Sequence, residues 1–96
     1  MRPSSCFTWS CQVRPSDCDL LGHMNNAHYM TLFEDARRAS GSHEETSVAV
    51  VEYLRQVQAL DVVDIAMWTE QATQMEMTCQ GVLMARAALR SQRASL

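Results

Sequence analysis

A single stretch of this chain carries an unambiguous helical apolar period, and that limits the folds open to it. In Ala27–Ser40 (AHYMTLFEDARRAS), Tyr29, Phe33 and Ala36 fall at i, i+4 and i+7, with Leu32 and Ala39 beside them. Such spacing puts the apolar side chains on one face of a helix. Arg37 and Arg38 suit its last turn, where cations meet the carbonyl end, and Gly41 suits its termination. The flanking sequence reads as strand. Cys6–Arg14 alternates loosely around Phe7, Trp9 and Val13 and is ended by Pro15 and Ser16. Ser42–Glu45 is a polar loop, and Thr46–Val57 is then rich in β-branched residues. Val48 and Val50 would face one way and Ala49, Val51 and Tyr53 the other, the pattern of a strand at the centre of a sheet. Asp61–Glu70 reads as another strand. Gln74–Gln80 alternates Met75, Met77 and Cys79 against Glu76 and Thr78, and Gln80-Gly81 marks a tight turn. Val82–Arg90 is open to two readings: its residues are strong helix formers, yet Leu83, Ala85, Ala87 and Leu89 fit the inner face of a returning strand. One early helix followed by antiparallel strands favours the strand, and the fold class is α+β with the helix on one face of the sheet.

With 96 residues the chain is read as a single domain over 1–96, with 1–5 and 91–96 as flexible tails. A domain this small buries only about 60–65% of its unfolded surface, so association with further copies would add core. The formal charge is −3, there is no lysine, and the arginines are scattered. Without a basic face, binding to nucleic-acid phosphates is excluded as a leading function. No apolar run reaches the roughly 18 residues of a membrane span. Met1–Ser5 does not lead into a secretory apolar run, so Cys6, Cys11, Cys18 and Cys79 are expected to be free thiols of a cytoplasmic protein. No CxxC spacing points to zinc, and neither a metal nor a cofactor is expected.

The chemistry concentrates in Asp17–Tyr29, DCDLLGHMNNAHY. A helix N-terminus offers unpaired N–H groups and a partial positive charge, which together can hold an oxyanion. Asp17 and Asp19 lie on the loop leading into it. A carboxylate beside such donors can attack a carbonyl or activate a water to do so. His23 can orient a substrate or shuttle a proton, Gly22 permits a sharp turn, and Asn25 or Asn26 is a good helix N-cap through its side-chain oxygen. Local rules leave alternatives standing. Asp19 can be a loop carboxylate capping a turn, Asp17 a turn former, His28 a helix-surface residue, and Glu34 an intrahelical partner of Arg37 or Arg38. His23 and His28 at i, i+5 do not share a helix face and make a poor metal pair. Cys18 stands between two carboxylates, which oppose thiolate formation.

The run RPSDCDLLGHMNNAHYMTLFEDAR resembles the signature of the hotdog-fold thioesterases, a group including 4-hydroxybenzoyl-CoA thioesterase and fatty acyl-ACP thioesterases. Ser16, Asp17, Asp19, Gly22, His23, Asn25, Asn26, Tyr29, Phe33, Glu34, Ala36 and Arg37 stand at matching spacing. VEYLRQVQALDVVDI resembles the family's Y-L-R-P-V and G-D strand pair, with Gln56 in place of Pro and Leu60-Asp61 in place of Gly-Asp. The resemblance implies an antiparallel sheet wrapped around one helix, a homodimer or higher homo-oligomer, and metal-free hydrolysis of an acyl-CoA or acyl-ACP thioester. It implies Asp19 as base or nucleophile with His23 as its catalytic companion. Gly22, Asn25, Asn26, Tyr29, Glu34 and Arg55 are the corresponding substrate-binding candidates. The Asn that some acyl-ACP thioesterases carry two residues before the histidine is Leu21 here, and the distance from Arg37 to Tyr53 is shorter than usual in the family. A rival reading is therefore a non-catalytic hotdog module that binds acyl thioesters or serves in assembly.

Overall fold

The computed structural model describes residues 6–42 and 46–91. The order of elements is β1 (Phe7–Gln12), a 3-10 turn (Pro15–Asp17), α1 (Asn26–Ala39), β2 (Thr46–Tyr53), β3 (Val62–Glu70), β4 (Ala72–Cys79) and β5 (Val82–Ser91). The strands form one five-stranded sheet in the order β1-β3-β4-β5-β2, antiparallel at every junction. The helix is the connection between the two edge strands and packs on one face of the sheet. This is the sheet-around-helix arrangement that the resemblance implies.

Each element follows from its pattern once partners are supplied. Tyr29, Leu32, Phe33 and Ala36, the predicted helix face, are buried. They join Val63 and Ile65 of β3, Met75 and Met77 of β4, and Ala85, Ala87 and Leu89 of β5 in one cluster. The helix ends as its sequence suggests: Gly41 has φ of +94° and donates its N–H to the Arg38 carbonyl. Val82–Ser91 is a strand despite its helical propensity. It pairs with β4 on one side and β2 on the other, and ladder bonds on both sides outweigh a per-residue preference of a few tenths of a kcal/mol. The Gln80-Gly81 turn is confirmed, with both residues at positive φ.

The β2 reading needs two corrections. The strand stops at Tyr53 rather than Val57, and it lies at a sheet edge rather than the centre. Val50 on its outer face is 66% exposed, so apolar residues on both faces here do not mark a doubly packed strand. Residues 43–45 of the expected polar loop, and 1–5 and 92–96 of the expected tails, lie outside the described residues. Ser91, the first residue of the expected C-terminal tail, closes β5.

After Tyr53 the chain leaves the ladder, and other groups satisfy its backbone. A bulge in β5 between its pairings with Met77 and Thr78 turns out the carbonyl of Met84, which accepts the N–H groups of Leu54 and Arg55 at 2.9 and 3.0 Å. Leu60 then closes a turn: Gln58 N–H donates to Asp61 Oδ2, and Leu60 N–H to the Val13 carbonyl. Leu60 holds φ of +72°, a conformation that costs an L-residue about 1–2 kcal/mol and costs glycine nothing comparable. Its side chain is 61% exposed and gains little by packing. Replacing Leu60 by Gly should therefore raise stability by about 0.5–1 kcal/mol, the strain relieved less the added chain entropy. Urea midpoints of the two proteins check this, and a lower midpoint for Leu60→Gly would remove the strain argument.

Candidate active site

The motif loop is a miniature hairpin. Asp19 N–H donates to the His23 carbonyl at 2.8 Å, Gly22 N–H donates to the Asp19 carbonyl at 3.0 Å, and Cys18 bridges Met24. Gly22 sits at φ of +80° at the end of this turn, and no atom lies within 4 Å of where a Cβ would stand. Backbone conformation alone thus calls for glycine here. At the foot of the hairpin Asn25 N–H donates to the Asp17 carbonyl at 3.0 Å, which brings the loop directly into α1. The other face of the loop is tied to residues 57–59. Met24 N–H donates to the Val57 carbonyl at 2.7 Å and Ala59 N–H to the Gly22 carbonyl at 2.9 Å.

The two aspartates have different surroundings. The Asp19 carboxylate is exposed, and its Oδ1 accepts the N–H groups of Leu21 at 2.9 Å and His23 at 3.0 Å. Those two donors aim the carboxylate. The Asp17 carboxylate is held by side chains instead: Arg14 approaches with Nε at 3.2 Å and Nη2 at 3.4 Å, and His28 Nε2 lies 3.2 Å away. The hydrogen bond from Arg14 is the main cause that keeps the Asp17 carboxyl below the usual carboxylate range; partial burial opposes it and the nearby His28 adds to it. His28 is therefore not the plain helix-surface residue its position suggests. It lies eleven positions beyond Asp17, and no local spacing rule reveals the pair. Between the aspartates, burial and the charges of Asp17, Asp19 and Asp61 push the Cys18 thiol up, so it is no nucleophile at neutral pH.

The expected asparagine cap is not formed. Asn25 occupies the N-cap position with φ of −60° and ψ of 138°, but its side chain makes no capping hydrogen bond, and Asn26 is the first residue of the helix. The His28 N–H is taken by the Asn25 carbonyl at 2.9 Å. The first turn is therefore not plugged by its own side chain, which leaves its earliest N–H groups for another acceptor.

The structure brings Asp19, Gly22, His23, Asn25 and Asn26 together in the hairpin and at its foot. Tyr29 lies one turn into α1, 2% exposed, and its phenol is pushed up mainly by burial. Its hydroxyl accepts the Val57 N–H at 3.0 Å and lies 3.4 Å from the Arg55 carbonyl, so it anchors the segment that carries the exposed Arg55 side chain. Glu34 stands further along the helix. It pairs with Arg37 at 2.7 Å and accepts the Thr46 hydroxyl, the intrahelical partnership that its spacing allowed. Tyr53, not singled out by the sequence, joins the group: its ring meets Tyr29 edge-on and its hydroxyl lies 3.4 Å from the Asn26 carbonyl. Among the described residues no group of three His, Cys, Asp or Glu side chains could hold a metal ion, and no helix is long and apolar enough to cross a membrane. The four cysteines are free.

Residues 13–93 match the sequence profile of the thioesterase-like superfamily. A search of curated proteins finds no match. Among solved structures, the chain is similar to a hypothetical protein of Staphylococcus aureus in complex with CoA, with TM-score 0.84 and 21% identity over 93% of this chain and 76% of that one. It is similar to a hypothetical protein of Aquifex aeolicus with TM-score 0.83 and 20% identity, covering 94% and 99% of the two chains. A thioesterase of Thermus thermophilus complexed with coenzyme A and Zn gives TM-score 0.80 and 23% identity over 93% and 80%. At these identities the likeness speaks for the fold.

The Asp17 network has a pH signature. Because the folded chain holds this carboxyl below its unfolded value, its contribution is fully present above about pH 4 and is lost as pH falls through the folded value. Asp17→Asn should therefore be less stable than the parent at pH 7, and the gap should close on acidification below pH ~4. Urea midpoints measured along a pH series check this, and a gap of constant size would show that Asp17 contributes no charge-dependent stability.

Proposed function

The chain belongs to the thioesterase-like superfamily, and from that premise we propose that it hydrolyses acyl thioesters, carried by CoA or by an acyl carrier protein, through the Asp19 carboxylate. One observation carries the reading: two backbone N–H groups aim Asp19 from a hairpin whose foot is the uncapped start of α1. A base and a set of oxyanion donors thereby share one short loop. With Oδ1 engaged, Oδ2 is the oxygen left for chemistry.

In this scheme the thioester carbonyl lies over the first turn of α1. Asp19 takes a proton from a water whose oxygen bonds to the carbonyl carbon. The charge that develops on the carbonyl oxygen meets N–H donors fixed before the reaction, which is where such donors act most strongly. Collapse reforms the C=O bond and breaks the C–S bond, and the departing thiolate recovers the proton. Direct attack by Asp19 would give a mixed anhydride that water then opens, with the same residues engaged. His23 sits beside Asp19 in the hairpin and serves to position the substrate or relay the proton. Gly22, Asn25 and Asn26 shape the wall of the site, Tyr29 holds the helix in place, and the exposed Arg55 is a cation for the phosphates of a carrier.

The working unit is read as a homodimer. The edge strand β2 presents an unpaired backbone row with Val50 and Tyr53 exposed, which a second copy would cover. Glu34 enters the site in this scheme only through such a partner. Free thiols fit a reducing compartment such as the cytoplasm.

Asp19→Asn keeps an oxygen for the Leu21 and His23 N–H groups and removes the base. It should lower kcat/KM by about 10²-fold or more in a thiol-release assay over an acyl-CoA panel, with circular dichroism unchanged. Near-full hydrolysis by the folded variant would end this assignment. Tight acyl-CoA binding without thiol release by the parent chain would make the protein a binding module instead.

A further inference from the structure

The geometry points to Tyr53 as a positioning residue that fixes and polarises the first peptide unit of α1, a role that rests on the thioesterase reading above. Tyr53 is the last residue of β2 and stands opposite Ala85, a core residue, so its side chain is on the helix-bearing face of the sheet. Its ring centroid lies 5.2 Å from that of Tyr29 at an interplanar angle of 84°, the favoured edge-on contact. Tyr29 is itself immobilised by its bond from Val57, so the contact gives Tyr53 a fixed support. From there the Tyr53 hydroxyl donates to the Asn26 carbonyl at 3.4 Å. That bond is long, and hydrogen bonds in unliganded sites commonly tighten when substrate arrives.

The carbonyl it reaches is what gives the contact its meaning. The Asn26 carbonyl and the Ala27 N–H are two ends of one planar peptide unit. A donor on the oxygen draws electron density from the nitrogen and makes the N–H a stronger donor in turn. The Ala27 N–H is one of the four at the helix start with no acceptor inside the helix. It is thus among the groups that would meet the thioester oxygen as it gains charge. Tyr53 touches neither substrate nor reacting atoms; it acts through this peptide. It is 47% exposed on the edge strand, so within this chain the ring is not a core-filling group.

Tyr53→Phe separates the two duties of the side chain, because it keeps the ring against Tyr29 and removes the hydroxyl. The expected result is a fall in kcat for acyl-CoA thiol release of about two- to fivefold, because the hydroxyl strengthens a neighbouring donor by a fraction of a bond and makes none to the substrate itself. KM should stay within about twofold, because the effect grows with charge in the transition state. The Ala27 amide proton should move upfield in the ¹H–¹⁵N spectrum while the melting temperature stays near that of the parent. A parent-like kcat in Tyr53→Phe, or an unmoved Ala27 amide, would overturn the role. If the parent chain itself releases no thiol across the panel, the thioesterase reading fails and this role with it. That outcome is distinct, because the parent and not the variant is then inactive.

Discussion

The hydroxyl of Tyr29 accepts the Val57 N–H inside the core, and much of the site depends on that bond. Buried backbone donors must be paired, and residues 54–57 have left the sheet that would have paired them. The helix supplies the missing acceptor for Val57, and the Met84 carbonyl supplies one for Leu54 and Arg55. Val57 in turn offers its carbonyl to Met24, which stands at the end of the motif hairpin. Helix, crossing segment and loop are thereby locked in a closed circuit of short bonds. Losing the Tyr29 hydroxyl would leave a buried N–H unsatisfied, at a cost of about 1–3 kcal/mol, and would loosen the loop from its support.

Within that frame the loop keeps two negative charges apart in duty. Asp17 is paired with the Arg14 guanidinium and contacts the His28 imidazole, and its carbonyl secures the helix start. Asp19 is contacted by backbone amides, which direct it without cancelling its charge. A cation on Asp19 would have made it an inert ion pair, whereas the arrangement present leaves it able to accept a proton. Burial, with the same pair of charges beside it, pushes the intervening Cys18 thiol up and opposes its ionisation.

How much of this could be read in advance depended on the range of the interactions. The helix face was legible because Tyr29, Phe33 and Ala36 repeat with the helical period, and the Gln80-Gly81 turn because its chemistry is local. The α+β class with its helix on one face followed from element order, the sheet wrapped around that helix from the motif resemblance, and the strand over Val82–Arg90 from topology against propensity. The motif spacing placed Asp19, Gly22, His23 and Asn25 in one loop, since all lie within a few residues of each other. The edge position of β2 was missed, because apolar residues on both faces of a strand state neither whether another layer covers those faces nor whether a second strand pairs its backbone. His28 and Tyr53 were missed because their partners, Asp17 and Asn26, are reached only by folding. The absent Asn25 cap was invisible too, since residue type states a capacity to bond and not the rotamer adopted.

The turn at Gly22 is constrained in an unusual way. Space beside it is open, and only the sign of its φ angle disfavours other L-residues. The position therefore selects for handedness and not for size. A D-alanine introduced there by chemical synthesis would meet the same geometry on favourable terms, while L-alanine, with an identical methyl group, would strain it. The loop that carries Asp19 is thus guarded by chirality. Its freedom to vary is set by the mirror sense of the backbone and owes nothing to neighbouring atoms.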